Sequence, residues 1–188
     1  MCVLFIWVVV RVLVCLLLVS DYFTKNLYRG LSKLLFMGII KVEMFEYKKA
    51  QKPDVLTSGG LGPCIAVGAI YDTIGYMSHS VDTEQVSYEL DALLDVLRRE
   101  ANPRRTKIYI AGGGLDSEFP SLIQGILNSR RITLEKIAAA GFKPTKIQWG
   151  LGNSRQKLIL DLKKGKTVYE EISDEDDESH FSDEYYCD

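Results

Sequence analysis

Cys64 closes the glycine-rich stretch Ser58-Gly59-Gly60-Leu61-Gly62-Pro63 and opens the apolar run Ile65-Ala66-Val67-Gly68-Ala69-Ile70, and His79 follows at the end of Gly75-Tyr76-Met77-Ser78. A turn rich in glycine can present a cysteine with its backbone N–H groups facing a cleft, and an imidazole fifteen residues on can return to it across one hairpin. A free cysteine is mostly protonated near neutral pH, so a nucleophilic thiolate needs a neighbouring group to take its proton. His79 is the credible base, because the other histidine, His180, lies in an acidic segment between Ser179 and Phe181. The chemistry within reach of such a pair is attack on the carbonyl carbon of an amide. Taken singly, a cysteine before an apolar run reads as an inert buried thiol and a lone histidine as a structural residue. Their joint occurrence reverses that reading.

Competing chemistries find less support. Gly112-Gly113-Gly114 lacks the final glycine of a dinucleotide turn, since Ser117 stands there, and Gly59-Gly60-Leu61-Gly62 lacks the Lys-Ser/Thr of a phosphate loop. No further Cys or His stands at ligand spacing near Cys64 and His79, so zinc is not expected. The thiol mechanism itself needs neither metal nor organic cofactor. Basic residues in the middle of the chain are interleaved with acids and form no aromatic-basic platform, which argues against a nucleic-acid partner. The four cysteines, Cys2, Cys15, Cys64 and Cys187, make neither a CxxC pair nor a disulfide framework and read as free thiols in a reducing compartment.

Positioning Cys64 and His79 requires strands around them. Val55 to Ser58 reads as a short strand entering the glycine turn, and Cys64 to Tyr71 as a buried strand or a short helix, which periodicity alone does not separate. Gln85 to Arg99 is an amphipathic helix with Val86, Leu90, Leu93, Leu94 and Leu97 on one face, stopped by Asn102-Pro103. Lys107 to Ala111 is a strand ending in Gly112-Gly113-Gly114, where the chain must turn or pass close to something. Leu115 to Asn128 turns from irregular to helical with Pro120 in a first turn, and a further stripe at Leu134, Ile137 and Ala138 within Ile132 to Ala140 ends at Gly141. Strands then follow at Thr145 to Trp149, Gln156 to Asp161 and Thr167 to Tyr169, the last two joined by the hairpin Lys163-Lys164-Gly165-Lys166. The mixed order implies an α/β fold, a layered α/β/β sandwich with two main helices in a single domain over residues 55–169.

The flanks differ in character. Within 188 residues that are 47% hydrophobic and 26% charged, net charge −2, the first nineteen are apolar apart from Arg11. They read as an apolar helix over residues 1–20: a membrane anchor, a packed helix, or a leader upstream of a start at Met37 or Met44. Lys25, Arg29 and Lys33 after the run would keep the remainder on the cytoplasmic face of a membrane if it spans one. Residues 21–54 read as a connecting segment, and residues 170–188, with ten acids, as a solvated tail.

The stretch from Ser58 to Val67, with Tyr71-Asp72 and Gly75-Tyr76-Met77-Ser78-His79, resembles the chemoreceptor glutamine deamidases known as CheD. In that family a T-L-G-L-G-S-C-V-A-V stretch carries the cysteine nucleophile and a G-G-M-A-H stretch the histidine. Looser matches keep the family's order: the strand into Gly112-Gly113-Gly114, the helix near Ile132 to Ala140, and Gly150-Leu151-Gly152-Asn153-Ser154-Arg155 before Lys157 to Asp161. The family's threonine falls on Ser58, with Thr57 beside it as a second candidate. Pro63 replaces a serine and removes one backbone donor, Ser80-Val81-Asp82 stands where the family has an apolar-Leu-Pro run, and the loop from Cys64 to His79 is slightly shorter.

The resemblance implies a cytosolic protein-glutamine deamidase. Cys64 would be its nucleophile and His79 its base, Ser58 would orient His79 or hold the substrate amide, and Gly60, Gly62 and Thr57 would line the oxyanion and substrate positions. Substrates would be glutamines of chemoreceptors or other signalling proteins. The alternative it carries is a catalytically silent adaptor that binds a receptor or a phosphatase of the chemotaxis pathway.

Overall fold

The computed structural model describes residues 37–80, 88–115, 120–151 and 154–172. The expected apolar helix over 1–20, Cys2, Cys15, Cys187 and His180 lie outside the described residues. Among those described, no helix is long and apolar enough to cross a membrane. The chain divides at Met37/Gly38, and every described element belongs to the unit that begins at Gly38.

Its described residues form nine strands and two helices: β1 (Ile39–Lys41), β2 (Glu46–Gln51), β3 (Val55–Thr57), β4 (Ile65–Tyr71), β5 (Ile74–Ser80), α1 (Tyr88–Glu100), β6 (Lys107–Gly112), α2 (Pro120–Ala139), β7 (Pro144–Trp149), β8 (Arg155–Asp161) and β9 (Lys166–Ile172). The strands form a five-stranded sheet in the order β2-β5-β4-β6-β7 and a four-stranded sheet in the order β1-β3-β8-β9. Both are mixed: β6 pairs with β7 and β1 with β3 in parallel, the remaining pairs being antiparallel. The layered α/β domain expected from the element order is observed.

Two apolar layers explain why β4 shows no alternation in sequence. Ile65, Val67 and Ala69 pack with Tyr76, Leu90, Leu93, Leu94, Leu97 and Ile137 beneath the helices, while Ala66 and Ile70 pack with Leu56, Met77, Leu158, Leu160 and Leu162 between the sheets. A central strand covered on both faces is apolar throughout, so its period of two disappears from the sequence. Glycine thins the sheet where the leucines of the second sheet are bulkiest. A Cβ at Gly68 would sit 3.0 Å from Leu160, and one at Gly75 only 2.7 Å from Leu162.

Helix α1 has Glu89 and Asp91 in its first turn and Arg98 and Arg99 in its last, matching its dipole at both ends. Glu100 ties it to the sheet through Lys49 at 2.5 Å and the Tyr76 hydroxyl at 2.9 Å. Helix α2 is one element of 20 residues rather than two separated segments. It closes on Gly141, at φ 85, with Phe142 N–H donating to Ile137 O and Gly141 N–H to Ala138 O.

The segment 21–54, expected as a connector, contributes two strands to the folded unit. β2 runs antiparallel to β5, with Glu46 opposite His79, and β1 runs parallel to β3. Both are edge strands, and their polar residues face solvent, so they carry little hydrophobic signal. β9 likewise extends beyond Tyr169 to Ile172, and residues 173–188 of the expected tail lie outside the described residues.

Candidate functional site

The hairpin β4–β5 brings the two predicted residues together. His79 stands directly opposite Ala66, and Cys64 lies two residues before Ala66, just ahead of the first residue of β4. A diagonal pair of this kind on one sheet face has Cα atoms roughly 7–8 Å apart, within reach of the side chains. The packing agrees with the register. Cys64 is half-buried against the cluster between the two sheets, and the His79 imidazole lies on the same side, bonded to the carbonyl of Val42 in that cluster.

His79 is 5% exposed. Its Nδ1 lies 3.2 Å from the Val42 carbonyl oxygen. A carbonyl can only accept, so Nδ1 carries the proton and Nε2 presents its lone pair. Among the described residues, the buried Nε2 has no hydrogen-bond partner. A buried nitrogen left unprotonated near neutral pH and oriented through the other side of its ring is placed to take a proton. Burial moves the imidazole below its ordinary midpoint of 6.5, against the pull of the Val42 carbonyl, the Glu43 carboxylate and the Ser58 carbonyl, while Lys41 adds to the lowering.

This shift has a stability consequence. Between pH 6.5 and the lower native midpoint, the unfolded chain binds a proton that native His79 refuses, so stability is complete above that window and falls as the pH drops through it. Urea midpoints at pH 7.5 and 5.5 should therefore fall more for the wild type than for His79→Asn, whose amide can still donate to Val42 but does not titrate. Equal falls in the two proteins would show that His79 does not carry this pH dependence.

The remaining predicted residues separate. Ser58 is buried, but its hydroxyl donates to Gly59 O at 3.0 Å and accepts from Leu158 N–H at 3.0 Å, stitching β3 to β8. Among the described residues, the Ser58 hydroxyl makes no hydrogen bond to His79. Thr57 alternates with the core residue Leu56 along β3, which directs its side chain to the outer face of the four-stranded sheet, away from Cys64 and His79.

In the turn itself, Gly59 takes φ 68 and Leu61 N–H is committed to Gln156 O at 2.6 Å. With Pro63 lacking an amide proton, the turn's donors for a developing negative charge narrow to neighbours such as Gly60 and Gly62. Neither of these amides is engaged by another group among the described residues.

Three contributors carried no clear sequence signal. Gln156 is 1% exposed on β8 and accepts from Gly112 N–H at 3.4 Å, beside the Leu61 bridge. Gly150 donates to Gly112 O at 2.8 Å. Arg130, midway along α2, donates to Gly113 O through Nε at 2.9 Å and Nη2 at 2.5 Å. Gly112-Gly113-Gly114 was expected to pass close to something, and what it meets is the cysteine turn: Gly113 N–H donates to Cys64 O at 2.7 Å and Gly114 N–H to Gly62 O at 2.8 Å.

Among the described residues, no group of three or more His, Cys, Asp or Glu side chains is arranged to hold a metal ion.

No protein-family model and no curated protein matches the chain. Several solved structures overlap it in part, among them the following three. The YfiH protein of Bacillus licheniformis does so at 13% identity and a TM-score of 0.40, covering 57% of this chain and 51% of its own. Protein NMB0706 of Neisseria meningitidis does so at 6% identity and 0.40, covering 66% and 68%. The C-terminal domain of CNFy from Yersinia pseudotuberculosis does so at 15% identity and 0.34, covering 70% and 54%. The chain thus spans about half the length of the Bacillus protein. Likeness at these scores is confined to part of the fold and carries nothing about activity, so the resemblance to chemoreceptor deamidases stands on the sequence motifs alone.

Proposed function

We propose that this chain is a cysteine-dependent protein-glutamine deamidase. The observation that supports the reading most is the buried Nε2 of His79, without a hydrogen-bond partner among the described residues, on the same face of the β4–β5 pair as Cys64. In the reaction, Nε2 takes the thiol proton as Sγ forms a bond to the side-chain carbonyl carbon of a glutamine. The oxyanion is met by amides of the glycine turn, for which Gly60 and Gly62 are the candidates. The C–N bond breaks as imidazolium returns the proton to the leaving ammonia, and a thioester remains. Water, losing a proton to Nε2, attacks that thioester; the thiol departs reprotonated and glutamate is released. The balance is glutamine plus water to glutamate plus ammonia, with no redox partner.

The substrates this reading favours are glutamines exposed on chemoreceptors or other signalling proteins, met in the cytosol or at the cytoplasmic face of a membrane. Incubation of the full chain with receptor segments bearing glutamine should add about 1 Da per converted residue, the mass difference between an amide and an acid, with Cys64→Ala as the control. One observation favours a second reading. The Ser58 hydroxyl is committed to backbone partners and makes no hydrogen bond to His79 among the described residues, as suits a silent adaptor that keeps the fold and binds a receptor or a chemotaxis phosphatase. Stable binding of such a protein with no Cys64-dependent mass change would decide for the adaptor.

A further inference from the structure

The glycine loop after β6 does more than pass the cysteine turn. It runs two hydrogen-bonded relays into the Gly62–Pro63 and Cys64–Ile65 peptides, which bracket Pro63 and Cys64. In the first, Gly150 N–H donates to Gly112 O, and the N–H of the same peptide unit, on Gly113, donates to Cys64 O at 2.7 Å. In the second, Arg130 donates to Gly113 O, and the N–H of that peptide unit, on Gly114, donates to Gly62 O at 2.8 Å. The pinned carbonyls, Gly62 and Cys64, belong to the peptide entering Pro63 and the peptide leaving Cys64. Arg130 joins the relays, because Nη2 also reaches Gly150 O at 3.4 Å, and its guanidinium lies 4.9 Å from the centre of the Trp149 ring. Only a planar fork can hold two carbonyls while stacking on an indole. A cation on the carbonyl of a peptide polarises it and strengthens the bond its N–H makes.

We infer that Arg130 is a positioning residue for the Cys64 thiol: through the Gly113–Gly114 peptide it fixes the turn from which the sulfur is aimed at His79. The sheet register sets which face Cys64 occupies, but Cys64 precedes the first residue of β4. Its Cα–Cβ direction therefore depends on the turn that carries it, and the glycine loop with Arg130 holds that turn at the peptide entering Pro63 and at the peptide leaving Cys64. Arg130 reaches no reacting atom and acts through backbone.

The inference rests on Cys64 being the reactive thiol of the proposed function. Its test reads the sulfur directly. Alkylation of the full chain by iodoacetamide is followed at Cys64 by peptide mass spectrometry between pH 5.5 and 9, for the wild type, Arg130→Gln and Arg130→Lys, with folding checked by circular dichroism. In Arg130→Gln the Cys64 rate at neutral pH should fall roughly tenfold and the pH profile should move upward, because a displaced sulfur no longer hands its proton to Nε2. Arg130→Lys should recover part of both effects. A folded Arg130→Gln with the wild-type rate and profile overturns the inference. If that variant does not fold, the comparison falls to Arg130→Lys, whose single ammonium cannot grip Gly113 O and Gly150 O together; an unchanged rate and profile there overturns it equally. A wild type that alkylates readily at Cys64 and deamidates nothing would overturn the proposed function and leave this inference standing.

Discussion

Cys64→Ser should abolish glutamine conversion, with a loss of about ten-thousandfold or more, while the protein keeps its fold and its melting temperature. The magnitude follows from losing the only nucleophile of a coupled pair, where removal of one member costs nearly as much as removal of all. An alcohol ionises far less readily than a thiol, and a neutral imidazole with no carboxylate behind it is a weak base for a hydroxyl. The partner of Nδ1 here is a backbone carbonyl, not a carboxylate. The half-buried position of Cys64 tolerates the smaller oxygen, so stability is spared. His79→Asn should be close behind, about a thousandfold down, because its amide can still donate to Val42 O while the base is gone. Following the mass of a glutamine-bearing substrate over time measures both. A Cys64→Ser protein that still converts glutamine would mean that sulfur is not the attacking atom.

The largest stability effect is expected at Gly112. A Cβ there would lie 2.1 Å from the backbone oxygen of Cys64 and 3.1 Å from Cβ of Leu61, on a residue whose φ is 93. The left-handed conformation alone costs a non-glycine residue about 1–3 kcal/mol. The backbone contact cannot be relieved by a rotamer, so the chain must shift and strain the bonds from Gly113 to Cys64 and from Gly150 to Gly112, each worth about 1 kcal/mol. Gly112→Ala should therefore lose about 3–5 kcal/mol in urea unfolding, and with it Cys64 alkylation at neutral pH. Gly141→Ala is the matched control: φ is 85, but nothing lies within 4 Å of its Cβ, so the same backbone strain of about 1–3 kcal/mol is the whole effect. Equal losses at the two glycines would show that close packing against Cys64 contributes nothing.

These predictions draw unevenly on the sequence. The leucines of α1 announced a helix because one face meets the core and the other meets water, which leaves a period of 3.6 in the chain. The hairpin of β8 and β9 was legible from Lys163-Lys164-Gly165-Lys166, where Gly165 does take φ 62. The strand β4 was not separable from a helix, because both of its faces are covered. Strands β1 and β2 were passed over as a connector, since Glu46, Lys48 and Lys49 on an edge look like a loop. Helix α2 read as two pieces because Asn128, Ser129, Arg130 and Arg131 interrupt its apolar stripe. One residue of that interruption, Arg130, reaches across to Gly113 and Gly150.

The candidate site divides the same way. Cys64 and His79 were legible as a pair because one hairpin joins them, and the spacing of two antiparallel strands is a local property of the chain. The chain by itself thus determined the α/β layering, the glycine turn with its thiol, and the imidazole that returns to it. Only the tertiary structure decided that Val42 O holds Nδ1, that the Ser58 hydroxyl serves Leu158 instead of His79, and that Arg130 grips the loop behind Cys64. Each of these bonds joins residues from 17 to 100 positions apart. Hydrogen bonds between such distant partners impose no period on the sequence, and they exist only once the two sheets have closed on their shared core.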